Sequence, residues 1–284
     1  MDTVQKTIGQ ETGCSGIGMF RGGITKLHFK PAPLNAGICF VRVDLPDRPR
    51  VTAHVHALSS NYKRVFLKNK QAEVESVEHL MAALAGLGID NIEIEIHGQE
   101  IPAGDGSAQL FVETLKKAGI IELGGKKKVF TVKAPIMVNS GNASVMAVPY
   151  EKGLQFSYTL DFDGSFIQRQ SYDIEFTEEN FCKEIAPART FGLSTYVEEF
   201  RGLGLGKGVT DDNSIIVHED GKMTKPISMT PAELRFPNEF VRHKILDLIG
   251  DLYLANVVIQ GRIVANRSGH ALNVQLAEKI ARVA

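Results

Sequence analysis

Residues 240–251 read Phe-Val-Arg-His-Lys-Ile-Leu-Asp-Leu-Ile-Gly-Asp. As a helix, this stretch sets His243, Asp247 and Asp251 one turn apart on a narrow stripe. Val241, Ile245, Leu248, Ile249 and Leu252 make much of the remaining surface apolar. Ionisable groups beside so apolar a surface are partly buried, and buried charge is costly unless paired or bound to a metal. A His and an Asp at i and i+4 can share one cation. The stripe therefore predicts part of a metal or acid–base site.

A second histidine stretch lies upstream. Residues 77–86 read Val-Glu-His-Leu-Met-Ala-Ala-Leu-Ala-Gly, and 241–250 read Val-Arg-His-Lys-Ile-Leu-Asp-Leu-Ile-Gly. Val, His, Leu and Gly coincide at one constant offset, 77 to 241, 79 to 243, 84 to 248 and 86 to 250. If two such helices face each other about a pseudo-twofold axis, His79 and His243 converge. Asp247 then supplies a third ligand, which its counterpart Ala83 cannot. Two His, one Asp and an open position match a catalytic zinc site, where the pKa of water falls toward neutrality. Glu78 can accept a proton from that water. Lys244 can offset charge on a tetrahedral intermediate. The spacing is not His-Glu-x-x-His, so no zincin-type fold is implied.

Other residues are less decisive. His270, in Arg267-Ser-Gly-His-Ala-Leu-Asn, stands at a glycine turn before the last helix and can donate a proton to a leaving group if Asp251 holds it charged. In Pro187-Ala-Arg-Thr-Phe-Gly192 the Thr190 hydroxyl could bind a polarised oxygen and Phe191 could stack on a sugar or base, although an ordinary turn gives the same pattern. Arg201-Gly-Leu-Gly-Leu-Gly-Lys-Gly208 lacks both the βαβ context of a dinucleotide loop and the spacing of a P-loop. It reads as a flexible, apolar-edged loop against substrate. His28, His54, His56, His97 and His218 have no carboxylate partner in the sequence and read as structural or exposed.

The elements that must position these groups follow from periodicity. Each histidine helix leads into a strand pattern, Asn91-Ile-Glu-Ile-Glu-Ile-His-Gly98 and Asn256-Val-Val-Ile-Gln-Gly261. Asp105-Gly-Ser-Ala108 then matches Ser268-Gly-His-Ala271, each opening a further helix, about 107–118 and 271–283. Upstream strands are expected at 24–30, 37–43 and 51–57, and downstream ones at 129–133, 144–149 and 154–161. The expected class is α+β, an internal repeat of two related halves, each a mainly antiparallel sheet with two helices on one face. The boundary is placed at the Gly-Gly-Lys-Lys-Lys run, 124–128, read as a solvated linker, giving halves of 1–124 and 128–284. A cleft between the halves is the expected site.

Bulk properties exclude other classes. A net charge of −1 gives no electrostatic case for nucleic acid or an anionic membrane. The three cysteines form no CxxC pair, which argues against a disulfide framework or a cysteine zinc site. There is no signal-peptide pattern and no transmembrane run, so the expectation is a cytoplasmic protein.

Ser76-Val-Glu-His-Leu-Met-Ala-Ala-Leu-Ala-Gly-Leu-Gly-Ile-Asp-Asn91, Arg189-Thr-Phe-Gly192, the 240–253 stretch and Arg267–Asn273 together resemble the signatures of the UDP-3-O-acyl-N-acetylglucosamine deacetylases. Glu100-Ile-Pro and Asp105–Ala108 fit as well, and the likeness covers nearly the whole chain in the family's order. The resemblance implies a zinc hydrolase of lipid A synthesis in Gram-negative bacteria, which removes acetate from a 3-O-acylated UDP-N-acetylglucosamine. It implies helices sandwiched between two sheets, and a monomer that acts on a small-molecule substrate. It implies one Zn2+, with Fe2+ able to occupy the same ligands, on His79, His243 and Asp247. Glu78 would be the base, and His270 the acid that protonates the leaving amine, held and charged by Asp251. Thr190 and Lys244 would stabilise the oxyanion or contact substrate. Phe191 and Gly192 would line the sugar and nucleotide region, Arg267 would lie near the diphosphate, and an apolar acyl passage would run near 193–213.

Two departures bear on recognition. Gly16-Ile-Gly-Met-Phe-Arg-Gly22 puts Phe20 where the family usually has His, and Tyr196 stands where many relatives carry Asp. The competing readings are a zinc amidase on another N-acetylated sugar nucleotide and a non-catalytic homologue with a structural metal. Retention of both Glu78 and His270 argues against the latter.

Overall fold

The computed structural model describes residues 4–59, 64–162 and 167–284. Six helices are described: α1 Glu78–Leu87, α2 Gln109–Lys117, the short α3 Glu178–Asn180, α4 Ser194–Gly202, α5 Glu239–Tyr253 and α6 His270–Val283.

Two large sheets repeat one plan. In the first, the strand order is Thr12–Ile17, Ile24–Pro31, Ile92–His97, Ile38–Arg42, Arg50–Thr52. In the second it is Ile136–Ser140, Ala143–Val148, Val258–Asn266, Leu154–Leu160, Gln170–Glu175, with Val129–Thr131 added beside Val258–Asn266. In both, the last strand in the sequence slots into the middle, antiparallel to one neighbour and parallel to the other. The outer pairings of both five-strand paths are antiparallel. The α+β class with mainly antiparallel sheets is therefore as expected.

Alternation explains the central strands. Ile92, Ile94 and Ile96 point inward while Glu93 and Glu95 are half-buried. Val258–Asn266 buries Ile259, Gly261, Ile263 and Ala265 in the same way. The helices lie between the sheets. α2 rests on Thr12–Ile17 and on α1, α6 rests on Ile136–Ser140 and Ala143–Val148, and α5 rests on Leu154–Leu160, Gln170–Glu175 and α1. One continuous apolar core joins them.

The α1–α5 contact is close because of one glycine. A Cβ on Gly250 would stand 2.0 Å from the Glu78 carbonyl oxygen. The matched Gly86 is needed for another reason, since a Cβ there would meet the Phe181 ring.

Three expectations are corrected. The strand expected over 51–57 ends at Thr52, because the His54 ring accepts the backbone N–H of His56 and turns Val55–Ala57 into a 3-10 helix. The run at 124–128 is no free linker, although Gly124, Lys126 and Lys128 are exposed. Its first part belongs to strand Ile120–Lys126, which pairs with Val4–Ile8, and Lys127 is almost wholly buried against Asp90 and the Gly88 carbonyl. The strand read at 256–261 runs instead over Val258–Asn266, and the other expected strands and helices fall within one or two residues of their bounds.

Candidate active site

α1 and α5 bring the two matched histidines together. The ligand atoms of His79, His243 and Asp247 all lie within 4.8 Å of one another. His79 Nε2 is 3.5 Å and His243 Nε2 is 3.4 Å from Asp247 Oδ1. The two rings stand nearly perpendicular, with centroids 5.0 Å apart. His243 donates its Nδ1–H to the Ala188 carbonyl at 3.1 Å. That bond leaves the Nε2 lone pair aimed at the group.

The charge states suit a cation. Burial pulls the His243 pKa down to about 4, so its imidazole is neutral. Burial alone would raise Asp247, but Lys244, His243 and His270 outweigh it and hold the carboxylate well below its ordinary range. Lys244 Nζ donates to Asp247 Oδ2 at 2.6 Å, leaving Oδ1 for the histidine side. Two imidazole nitrogens and an ionised carboxylate oxygen form a donor set that fits a divalent transition-metal ion.

An acid–base pair flanks the group. Glu78 is the first residue of α1, and its Oε2 accepts the Val65 N–H at 3.2 Å. Burial raises its pKa, partly countered by His270 and His79. His270 opens α6 and donates from Nδ1 to Asp251, 2.8 Å from Oδ2 and 3.1 Å from Oδ1. Its Nε2 lies 3.9 Å from Glu78 Oε1 and 3.9 Å from Asp247 Oδ2. Burial would lower the His270 pKa, but the carboxylates of Asp251 and Asp247 win and lift it to about 9. Near neutrality the cavity therefore faces a carboxylate whose basicity is increased and an imidazole that keeps its proton.

These groups open onto a cavity of about 520 Å³. Thr190, Phe191, Gly192 and Lys244 form part of its wall, with Ser268–His270 opposite. Thr190 is fixed through its backbone to Gly106 and Ile215. Phe191 packs against Phe240, with centroids 4.6 Å apart, and meets Phe162 edge-on. Beyond them the wall is apolar, with Leu193, Val197, Phe200, Leu205, Val209 and Ile216 contributed by α4, the loop after it and the small sheet of Phe191–Leu193, Ile215–Val217 and Met223–Thr224. Tyr196 and Phe20 also line it. The Phe20 ring stacks on the Arg64 guanidinium at 4.0 Å and meets Phe200 edge-on. The glycine run at 201–208 is tied to the first half, where Gly208 and Lys207 donate backbone N–H groups to Met19 and Phe20.

Arg267 stands apart. It is not in the cavity wall, and its guanidinium donates to Asp161 at 2.8 Å. Asp251 is fully buried behind His270 and does not reach the cavity. Among the other histidines, His28 does have acidic neighbours, Glu11 and Glu95, which come from chain segments that only the sheet brings near. Residues that sequence reasoning did not single out include Val65 and Ala188, which act through backbone atoms and so leave no signal in residue type. Phe162, Phe240 and Asn273 are further cases. Asn273 had one available signal, a polar residue on the buried face of a helix that also carries Leu272, Leu276 and Ala277.

Comparison with known proteins adds a separate observation. The profile of the family described as UDP-3-O-acyl N-acetylglycosamine deacetylase matches residues 5–282. A protein named UDP-3-O-acyl-N-acetylglucosamine deacetylase from Trichormus variabilis is 40% identical over 281 residues, covering 97% of this chain and 98% of that one. Proteins of the same name from Bdellovibrio bacteriovorus and Saccharophagus degradans are 37% and 39% identical over 277 residues each. Those alignments cover 98% and 95% of this chain, and 89% and 87% of the relatives.

Proposed function

The chain belongs to the UDP-3-O-acyl N-acetylglycosamine deacetylases, and we propose that it performs their amide hydrolysis in the cavity between α1 and α5. The enzyme removes the N-acetyl group of UDP-3-O-acyl-N-acetylglucosamine, releasing acetate and UDP-3-O-acyl-glucosamine, an early step of lipid A biosynthesis. The observation that carries the assignment of residues is the convergence of His79, His243 and Asp247 with Glu78 and His270 on either side.

His79, His243 and Asp247 would hold the metal, Zn2+ on this reading, with Fe2+ the other ion the same donors accept. A divalent ion there supplies Lewis acidity, lowering the pKa of a water and polarising the acetamide carbonyl. Glu78 takes the attacking water's proton, a role its raised pKa favours. Charge on the carbonyl oxygen is met by the Thr190 hydroxyl and the Lys244 ammonium, both in the cavity wall. Asp247 keeps Lys244 charged, its attraction outweighing the effect of burial. His270 gives its Nε2 proton to the departing nitrogen, because an amide anion leaves too poorly without one. Asp251 keeps that proton on His270 up to about pH 9.

Phe191 and Gly192 face the sugar and nucleotide, and the acyl chain lies against the apolar wall within 193–213. Arg267 is assigned to the diphosphate side. On this reading the chain divides into halves 1–124 and 128–284 and works as a cytoplasmic monomer. Among the described residues, no helix is long and apolar enough to cross a membrane.

The test combines a chelator with one substitution. Stripping the metal abolishes acetate release from the acylated UDP sugar, and added Zn2+ restores it. Glu78→Ala keeps the metal but lowers kcat by roughly two decades or more. Activity that survives stripping would remove the metal from the mechanism, and unchanged turnover in the variant would remove Glu78.

A further inference from the structure

The run Arg267–Asn273 holds two polar side chains to which the deacetylation scheme gives no part, Ser268 and Asn273. Both are buried, Asn273 completely. Asn273, in the first turn of α6, donates Nδ2–H to Asp251 Oδ2 at 2.8 Å, and its Oδ1 accepts the Ser268 hydroxyl at 2.9 Å. The orientation of the amide is dictated by chemistry. An ionised carboxylate only accepts, so the NH2 side must face Asp251 and the carbonyl must face the hydroxyl. Ser268 is anchored in turn, since its carbonyl accepts the Tyr158 hydroxyl from the second sheet. A buried chain of hydrogen bonds therefore runs from the sheet, through Ser268 and Asn273, to Asp251 and on to His270.

Asp251 Oδ2 is also the oxygen nearer to His270 Nδ1. A carboxylate torsion is broad and weakly restrained by itself. One bond to an imidazole does not fix the carboxylate plane, because ring and carboxylate can rock together. A second donor from a rigid helix removes that freedom. We propose that Asn273 is a positioning residue for the catalytic acid: by donating to Asp251 it locks the carboxylate, and through it the direction in which His270 Nε2 faces the cavity. The residue type fits this task. An Asp here would set two carboxylates against each other, and an apolar side chain would leave an Asp251 lone pair in a dry interior. The first half lacks the device. There Asp105 of the matched turn accepts from Ser107 and from Arg235, and among the described residues no member of that turn holds an imidazole.

The inference rests on the reading of His270 as the acid charged by Asp251, and the test separates the two. kcat, KM and metal content are measured on the acylated UDP sugar for Asn273→Ala, Asp251→Asn and the double variant. Asn273→Ala should retain metal and lower kcat about tenfold with KM within about twofold, the range of a lost orienting contact. Added to Asp251→Asn it should cost less than about twofold more, because the carboxylate that it orients is already gone. A further tenfold loss in the double variant, or no loss in the single one, overturns the role of Asn273. An Asp251→Asn enzyme of unchanged kcat overturns the acid reading, and the role of Asn273 with it. If Asn273→Ala does not fold, Ser268→Ala completes the same cycle, with an expected loss of about threefold that is absent beside Asp251→Asn.

Discussion

α1 and α5 share a histidine, a leucine and a glycine at matched positions and face one another, yet they carry opposite chemistry. Where α5 has Lys244, Asp247 and Asp251, α1 has Leu80, Ala83 and Leu87. Where α1 has Glu78, α5 has Arg242. Each half brings one imidazole to the candidate metal group, but Glu78 is on one side and the remaining charged groups are on the other. Every charge on α5 has a partner from the C-terminal half. Asp247 has Lys244, Asp251 has His270 and Asn273, and Arg242 has Glu184 and Asn238. Among the described residues α1 has only the Val65 N–H on Glu78 as a comparable support, and apart from Glu78 its buried positions are apolar or glycine. The two matched helices provide the frame, and the charged groups stand on the one whose neighbours hold them.

The sharpest way to break this comparison is to give α1 what α5 has. Ala83 is fully buried, and Ala83→Asp places a carboxylate there without a lysine beside it. The expected cost is about 3–5 kcal/mol, that of an uncompensated buried charge, read by chemical denaturation. A fully stable variant would show that α1 never needed to stay apolar.

Removing a support from α5 should have the next largest effect. With Asp251 present, His270 keeps its proton to about pH 9, so the alkaline limb of kcat should fall near there. Asp251→Asn removes the largest influence raising that pKa, so the limb should move toward lower pH, with kcat down roughly tenfold to a hundredfold. The sign follows from the active form being protonated: a lower pKa depletes it at pH 8. An unmoved limb would assign the titration to another group.

The two matched glycines sharpen the comparison further. Gly250→Ala drives a methyl into the α1 backbone, whereas Gly86→Ala meets the Phe181 ring first. The first should cost about 1–3 kcal/mol and lower kcat as α1 shifts, and the second should cost less with little change in kcat. Equal losses in both would show that the interhelix contact is not special.

The smallest effect concerns the entry to α5. Glu239 accepts from the backbone N–H groups of Arg189 and Arg235 and from the Arg189 side chain. Burial would raise its pKa, but these donors outweigh it and hold the pKa below the ordinary value. Its stabilisation is therefore present above the unfolded-state pKa and lost as pH falls through the folded one. Glu239→Gln should flatten the acid side of the stability profile by about 1 kcal/mol. An unchanged acid side would show that this pair gives α5 no pH-dependent support.

Much of this was legible in the chain itself. The paired histidine helices, the strand after each and the Asp at i+4 all rest on local periodicity, and periodicity survives folding. The strand expected over 51–57 failed because the His54 side chain captured a backbone donor within its own turn. The glycine–lysine run misled because composition does not reveal a pairing partner over a hundred residues away. Arg267 lies outside the cavity wall, and its guanidinium is bonded to Asp161, just past strand Leu154–Leu160 and over a hundred residues away in sequence.

Helix, strand, repeat and the candidate metal-binding residues could all be read from residue type and spacing, because those properties act over one or two turns. Folding alone decided which lone pairs converge, which carboxylate stays ionised and which imidazole keeps its proton. Those outcomes depend on burial and on charges from distant segments, and neither exists until the two halves close on each other.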